Sequence, residues 1–247
     1  MQQRSMANHR LFYLLWFVAT FVVAQAARCQ SCSPVGVFTT TEGETLTDAS
    51  TAQDAPLVAS FTANPEPDDL WGYTGRYEWK IWNANDASQV LLHRFEQDID
   101  YTFTQSGTFL VQLYATFTCD GDTIIWPEEG EENPIVVVIS ESKLEMPNAF
   151  SPNGDGYNDY YNAKSTIKSI VEFSATIFNR WGQKIYSWTD PTTKESGWDG
   201  KWHGHTVGDG VYYVVVVAKG ADGIKYNIRK DVNVLTGYEK NTNTSNE

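Results

Sequence analysis

Residues 153 to 159 hold the clearest oxygen-donor spacing in the chain. Asn153, Asp155 and Asp159, with the main-chain carbonyl of Tyr157, set oxygens at alternating positions, and Gly154 and Gly156 allow sharp turns between them. Calcium loops use this chemistry: hard oxygen ligands at alternate residues with a glycine for the bend. The bidentate Glu that completes an EF-hand loop is absent at the required distance. The competing reading is an Asx-turn network, in which the same side chains bond the loop's own amides and no metal is held. Calcium is therefore the one cofactor weighed; no other is expected.

The remaining reactive side chains are few. Cys29, Cys32 and Cys119 are the whole cysteine set. The Cys29-x-x-Cys32 spacing is that of a redox pair, but such thiolates are activated at helix N-termini. Here Ser33-Pro34 and a strand-like run follow, and no His follows Cys32 for haem attachment. A structural bridge from Cys32 to Cys119 is the expectation, leaving one cysteine over. His203-Gly204-His205 offers two imidazoles without a third ligand in view, which reads as a loop rather than a transition-metal site. Apart from Cys29, Cys32 and Cys119, the chain shows no motif for nucleophilic chemistry. It contains no G-x-S-x-G elbow, P-loop or H-E-x-x-H, and beyond the N-terminal segment its histidines are His93, His203 and His205. The expectation is a non-enzyme.

Binding chemistry is better represented. Arg180 beside Trp181 can lay its guanidinium on the indole while pairing with a carboxylate, and Asp199, between Trp198 and Gly200, is a candidate partner. The bland alternative is that Arg180, Trp181, Trp198 and Asp199 are fold determinants. Trp71 and Trp82 are candidate ligand aromatics that could stack on a sugar ring or bury against a protein, with core packing as the alternative. The acidic run Glu128-Glu129-Gly130-Glu131-Glu132, bracketed by Pro127 and Pro134, reads as a solvated loop.

The elements that must position these residues are strands. The chain of 247 residues is long enough for two domains, and 9 Trp, 13 Tyr and 12 Phe with abundant Val and Thr favour sheet over helix. The formal charge is -13, and argues against nucleic acid or an anionic membrane surface as partner, since both need a basic footprint. Residues 1–26 have the form of a secretory signal peptide: Arg4, His9 and Arg10, an apolar run from Leu11 to Val23, and Ala24-Gln25-Ala26 for cleavage. The mature chain is then exported.

Period-2 alternation marks a first domain at 27–143. Tyr77, Trp79 and Ile81 share one face, and Phe109, Val111, Leu113, Ala115 and Phe117 share another. Further strands are expected at Leu57–Ala63, Gln89–Phe95 and Pro134–Ser140. A second domain at 144–239 has strand patterns at Ile170–Trp181, Lys184–Trp188, Val211–Ala218 and Ile224–Leu235, with Asp222-Gly223 as a hairpin turn. The near-continuous apolar run Val211–Ala218 predicts a central strand buried on both faces. Residues 240–247 are polar and read as a disordered tail. The fold class is all-β: two tandem β-sandwich domains of immunoglobulin-like type after a signal peptide.

Four blocks carry a family resemblance: Pro147 to Asp159, Ile177-Phe178-Asn179-Arg180-Trp181-Gly182-Gln183, Gly197-Trp198-Asp199-Gly200 and Asp209-Gly210-Val211-Tyr212-Tyr213. Together they resemble the gliding-motility-associated C-terminal domain, also described as the type B sorting domain of type IX secretion. The runs Tyr77-Glu78-Trp79-Lys80-Ile81, Tyr101-Thr102-Phe103 and Gly107 to Leu113 resemble a PKD-type immunoglobulin-like domain. These resemblances imply a cell-envelope protein, at the cell surface or secreted, whose partner is the type IX secretion machinery or an outer-membrane protein. Service as an accessory subunit of an outer-membrane β-barrel complex, and glycan binding by an adhesive surface module, are the alternatives.

Overall fold

The computed structural model describes residues 30–66 and 70–237. The expected signal peptide at 1–26, Cys29 and the expected tail at 240–247 lie outside the described residues. Within them the protein is built of strands, with two short 3-10 turns at Leu70–Gly72 and Lys194–Ser196.

The first half contains β1 (Ser31–Cys32), β2 (Val35–Thr39), β3 (Thr45–Leu46), β4 (Ala49–Gln53), β5 (Leu57–Thr62), β6 (Pro65–Glu66), β7 (Thr74–Asn83), β8 (Asp86–Arg94), β9 (Asp98–Phe103), β10 (Gly107–Cys119), β11 (Asp122–Trp126) and β12 (Ile135–Ile139). Two sheets face each other. One runs β3-β2-β5-β9, and the other runs β4-β12-β10-β7-β8 with β11 added to the end of β10. The alternation seen in the sequence decides the packing. Tyr77, Trp79 and Ile81 of β7 and Phe109 to Phe117 of β10 point into one core with Phe38, Leu57 and Phe61 from the facing sheet. Trp79 lies fully buried, its ring 5.8 Å from that of Phe61, and its indole N–H donates to the Gln97 carbonyl at 3.1 Å. A buried indole thus finds its polar partner, as a low-dielectric core requires.

The second half contains β13 (Ala149–Phe150), β14 (Ile170–Phe178), β15 (Lys184–Trp188), β16 (Lys201–Trp202), β17 (His205–Thr206), β18 (Gly210–Gly220) and β19 (Lys225–Val234). Five of these form a sheet in the order β13-β19-β18-β14-β15, and β16-β17 form a separate ribbon. The other side of this core is formed by irregular segments that carry Leu144, Met146, Tyr161 and Trp198, which cover the face with Phe173, Ala175, Ile177, Val214, Val216 and Val232. The other face is uncovered. β18 is central, between β19 and β14, but Val211, Tyr213 and Val217 are 46%, 46% and 55% exposed. The expectation of burial on both faces is therefore corrected: an apolar run does not distinguish a doubly buried strand from a singly buried one rich in β-branched residues.

The two halves meet in a tight joint. Ala221, at the β18–β19 turn, packs into the first core. The Ser106 N–H donates to the Ala221 carbonyl at 3.1 Å, and the Ala55 N–H donates to Ser169 Oγ at 3.1 Å. Ser142, in the connecting segment, donates its N–H and its hydroxyl to the Asp222 carboxylate, each at 2.8 Å.

Candidate functional site

Among the described residues the most exposed large aromatic, Trp181, stands on a turn held by side-chain hydrogen bonds. β14 and β15 are joined through Asn179 to Gln183, and the buried Asn179 side chain organises the turn. Its carbonyl oxygen accepts the N–H of Trp181 at 3.0 Å and of Gln183 at 2.9 Å, while its amide donates to Gln183 Oε1 at 2.7 Å. Gly182 supplies the positive φ of +77° that the chain reversal needs. Trp181 is thereby fixed at its backbone while its ring is 73% exposed. The Arg180 guanidinium lies over that ring at 4.9 Å, the cation–π arrangement the sequence predicts. Its proposed carboxylate is not Asp199, which instead pairs with the Lys201 ammonium at 3.0 Å and accepts the Lys201 N–H, because a tight turn brings position i+2 closer than another hairpin.

Beside Trp181 lies a cavity of about 210 Å³. Trp202 of β16 and Tyr212 of β18 line it together with Ile185, Val207 and the rim residues His205 and Thr206. Burial raises the Tyr212 pKa, opposed by the nearby Arg180 charge and reinforced by Asp209, so the hydroxyl stays protonated at neutral pH and donates to the Gly208 carbonyl at 3.1 Å.

Trp198 lies beneath this wall, not on the surface. It is fully buried, its ring 5.2 Å from both Tyr212 and Phe150, and its indole N–H donates to the Lys201 carbonyl at 2.9 Å. Backbone bonds to Tyr161 run in both directions, and a Cβ on Gly197 would meet the Tyr161 carbonyl at 2.5 Å. On Gly200 a Cβ would meet Pro152 at the same distance. The four sequence blocks are thus one connected unit: Phe150 and Pro152 pack on Trp198 and Gly200, Trp198 supports Tyr212, and Tyr212 shares the cavity with Trp181. Of the four residues singled out as a motif, Arg180 and Trp181 are presented to solvent, and Trp198 is a fold determinant. Ile185, Trp202 and Val207 escaped the sequence reading, since neither spacing nor pattern ties a two-residue ribbon to a hairpin on another strand.

The loop at 151–159 is an Asx network. Asp159 accepts the N–H groups of Gly154 and Gly156, both at 2.7 Å; Asp155 accepts those of Tyr157 at 2.8 Å and of the Asn153 amide at 3.2 Å. The Tyr157 carbonyl accepts the Ser151 hydroxyl at 3.3 Å, and the Lys194 ammonium bonds the Gly156 carbonyl at 3.1 Å. All four carboxylate oxygens accept protein donors and the Lys194 ammonium sits at the Gly156 carbonyl, so a calcium ion would have to share or displace these bonds.

The other candidates disperse. Among the described residues Cys32 and Cys119 are not bridged to each other. Cys32 is buried opposite Pro65 on β1, whereas Cys119 ends β10 and is registered with Asp122. Trp82 is half-buried on the outer face of its sheet, between Leu110 and Val90. Trp71 falls in the 3-10 turn at Leu70–Gly72. His203 stacks near Trp202 at 4.9 Å, and among the described residues no group of three His, Cys, Asp or Glu side chains is arranged to hold a metal. Residues 128–133 are exposed, as a solvated acidic loop should be. Among the described residues no helix is long and apolar enough to cross a membrane.

Residues 144–229 match the CHU_C family, described as a Type IX secretion signal domain. No curated protein matches the chain. Among solved structures, the Bacteroides ovatus mixed-linkage glucan utilization locus protein SGBP-B, in complex with a mixed-linkage heptasaccharide, is similar at 17% identity and a TM-score of 0.22, over 74% of this chain and 42% of that one. The chain thus spans less than half of that protein. A tetra-tandem repeat from the extending region of a large adhesion protein is similar at 11% identity and a TM-score of 0.25, over 84% of this chain and 68% of that one. The fibronectin(III)-like modules of Clostridium thermocellum CbhA are similar at 16% identity and a TM-score of 0.23, over 73% and 84%. Likeness at this level speaks to neither ligand nor partner.

Proposed function

We propose that this protein, which carries a type IX secretion signal domain at residues 144–229, works by binding other proteins and catalyses no reaction. The segment implies export toward the outer membrane or cell surface and contact with the secretion machinery. The finer reading is that the machinery docks on the folded surface of this domain around Trp181. The observation that carries it is an indole 73% exposed on a turn held by three side-chain bonds of Asn179. A large aromatic residue held ready in solvent adds contact area on binding at little conformational cost, which is why Trp, Tyr and Arg dominate interface hot spots.

The test is export of the full chain from a bacterium with type IX secretion, comparing wild type with Trp181→Ala. Both proteins should melt at the same temperature, since the ring packs little. The variant should accumulate inside the outer membrane while wild type reaches the surface or medium. Wild-type export of the variant would overturn the docking role.

A second reading, service as an accessory subunit of an outer-membrane complex, is favoured by the uncovered apolar face of β18, formed by Val211, Tyr213 and Val217. Glycan binding draws less support. Two polar groups that line the cavity, the Asn179 amide and the Tyr212 hydroxyl, are committed to Trp181, Gln183 and Gly208, which reduces the donors and acceptors open to a sugar.

A further inference from the structure

We infer that the cavity beside Trp181 receives one large apolar side chain of a protein partner, and that a carboxylate adjacent to it in the partner engages Arg180. This rests on the reading of the Trp181 turn as a docking surface and specifies what the turn recognises.

Size comes first. At about 210 Å³ the cavity lies below the roughly 300–1,000 Å³ of sites that enclose a whole small molecule. One aromatic or long aliphatic side chain fills such a space. Most of the lining is apolar or aromatic: Trp181, Trp202, Tyr212, Ile185 and Val207. His205 and Thr206 stand at the exposed rim, where a polar boundary excludes water from a filled centre. The walls are preorganised, because Trp198 backs Tyr212 at 5.2 Å and Asn179 clamps the turn.

Charge comes second. The Arg180 guanidinium supplies a cation beside the cavity. Among the described residues it makes no ion pair, while Asp199 is paired to Lys201 and the Asp209 carboxylate accepts the N–H and hydroxyl of Thr236. One face of the guanidinium lies on Trp181, and stacking of this kind leaves the edge N–H groups able to form a two-pronged bond to a carboxylate. At this point of contact the Arg180 charge favours a carboxylate over a cation.

The experiment is titration of the isotope-labelled mature chain with blocked dipeptides, followed by the indole N–H signals of Trp181 and Trp202 in NMR spectra. The probes are N-acetyl-Phe-Glu-amide, N-acetyl-Phe-Lys-amide, N-acetyl-Ala-Glu-amide and cellobiose. Phe-Glu should move both signals saturably, and Phe-Lys should bind at least about threefold more weakly, the scale of an exposed ion pair. Ala-Glu and cellobiose should leave them unmoved. Arg180→Ala should erase the preference for Phe-Glu over Phe-Lys while keeping binding of Phe. Failure of Phe-Glu to move the two signals, an equal response to Ala-Glu, or saturable binding of cellobiose instead would each overturn the inference. The export test fails separately: loss of export in Trp181→Ala without dipeptide binding sinks this inference alone, and dipeptide binding with normal export sinks the docking role alone.

Discussion

Replacing Gly220 with Ala should loosen the joint between the two halves. Gly220 ends β18, is buried, and lacks the positive φ that would otherwise explain a glycine. Its role is steric. A Cβ there would meet Ser142 Oγ at 2.0 Å, Ser142 Cβ at 2.3 Å and Asp222 Oδ1 at 2.5 Å. These atoms are the clip itself: Ser142 holds the Asp222 carboxylate through its N–H and hydroxyl, and its hydroxyl also lies 2.8 Å from that of Tyr226. Overpacking costs about 1–3 kcal/mol, and disrupting two or more part-buried bonds to a carboxylate adds about 1–3 kcal/mol. Lower entropy of the unfolded chain returns about 0.4–1 kcal/mol. The net is a loss of roughly 1–5 kcal/mol, which lowers the melting temperature by about 3–15 °C for a protein of this size. Calorimetry of the mature chain reads this, and trypsin should cut after Lys143 faster in the variant. Ser142→Gly removes both of the closest atoms, so the pair of substitutions should cost about 1–2 kcal/mol less than the sum of the single ones. A Gly220→Ala protein that melts within 2 °C of wild type, or strict additivity in the double variant, would refute the steric argument.

Three more outcomes are expected. Burial works to raise the Asp190 pKa, but hydrogen bonds from Thr193 and Thr192 outweigh it and hold the carboxyl at about 2 rather than 3.8. A depressed folded-state pKa contributes stability above the unfolded value and loses it as pH falls, so the deficit of Asp190→Asn in urea unfolding should be full at pH 7 and shrink between pH 4 and 2; a deficit unchanged at pH 2 would count against it. Burial, and then the neighbouring Glu66 charge, push the Cys32 thiol up to about 12, so maleimide at pH 8 should spare Cys32 in the folded protein while labelling the half-buried Cys119, and peptide mapping that finds Cys32 labelled first would contradict this. Calcium or a chelator should leave the melting temperature unchanged; a calcium-dependent rise of several degrees would show that the Asp155 and Asp159 oxygens release their amides to a metal.

What was legible in the chain was whatever local pattern dictates. Strict alternation placed Tyr77, Trp79 and Ile81 and the row from Phe109 to Phe117 on inward faces, because side chains along a strand must alternate. Glycine and Asx chemistry marked the turns at Gly182 and Gly223, which have positive φ. The adjacency of Arg180 and Trp181 was enough for their stacking, since both sit on one turn. Short or weakly alternating strands, such as β4 and the β16–β17 ribbon, left no such trace. Tertiary structure alone decided the rest. It buried Trp198 and exposed Trp181, although both are tryptophans flanked by polar residues and glycine. It left one face of β18 open, left Cys32 and Cys119 unbridged to each other, and brought Trp202 and Tyr212 to the side of Trp181. The physical reason is common to all of these. Alternation states which residues share a face, but which face is covered, and by what, depends on contacts between segments far apart in the chain, and those are settled only when the sheets pack.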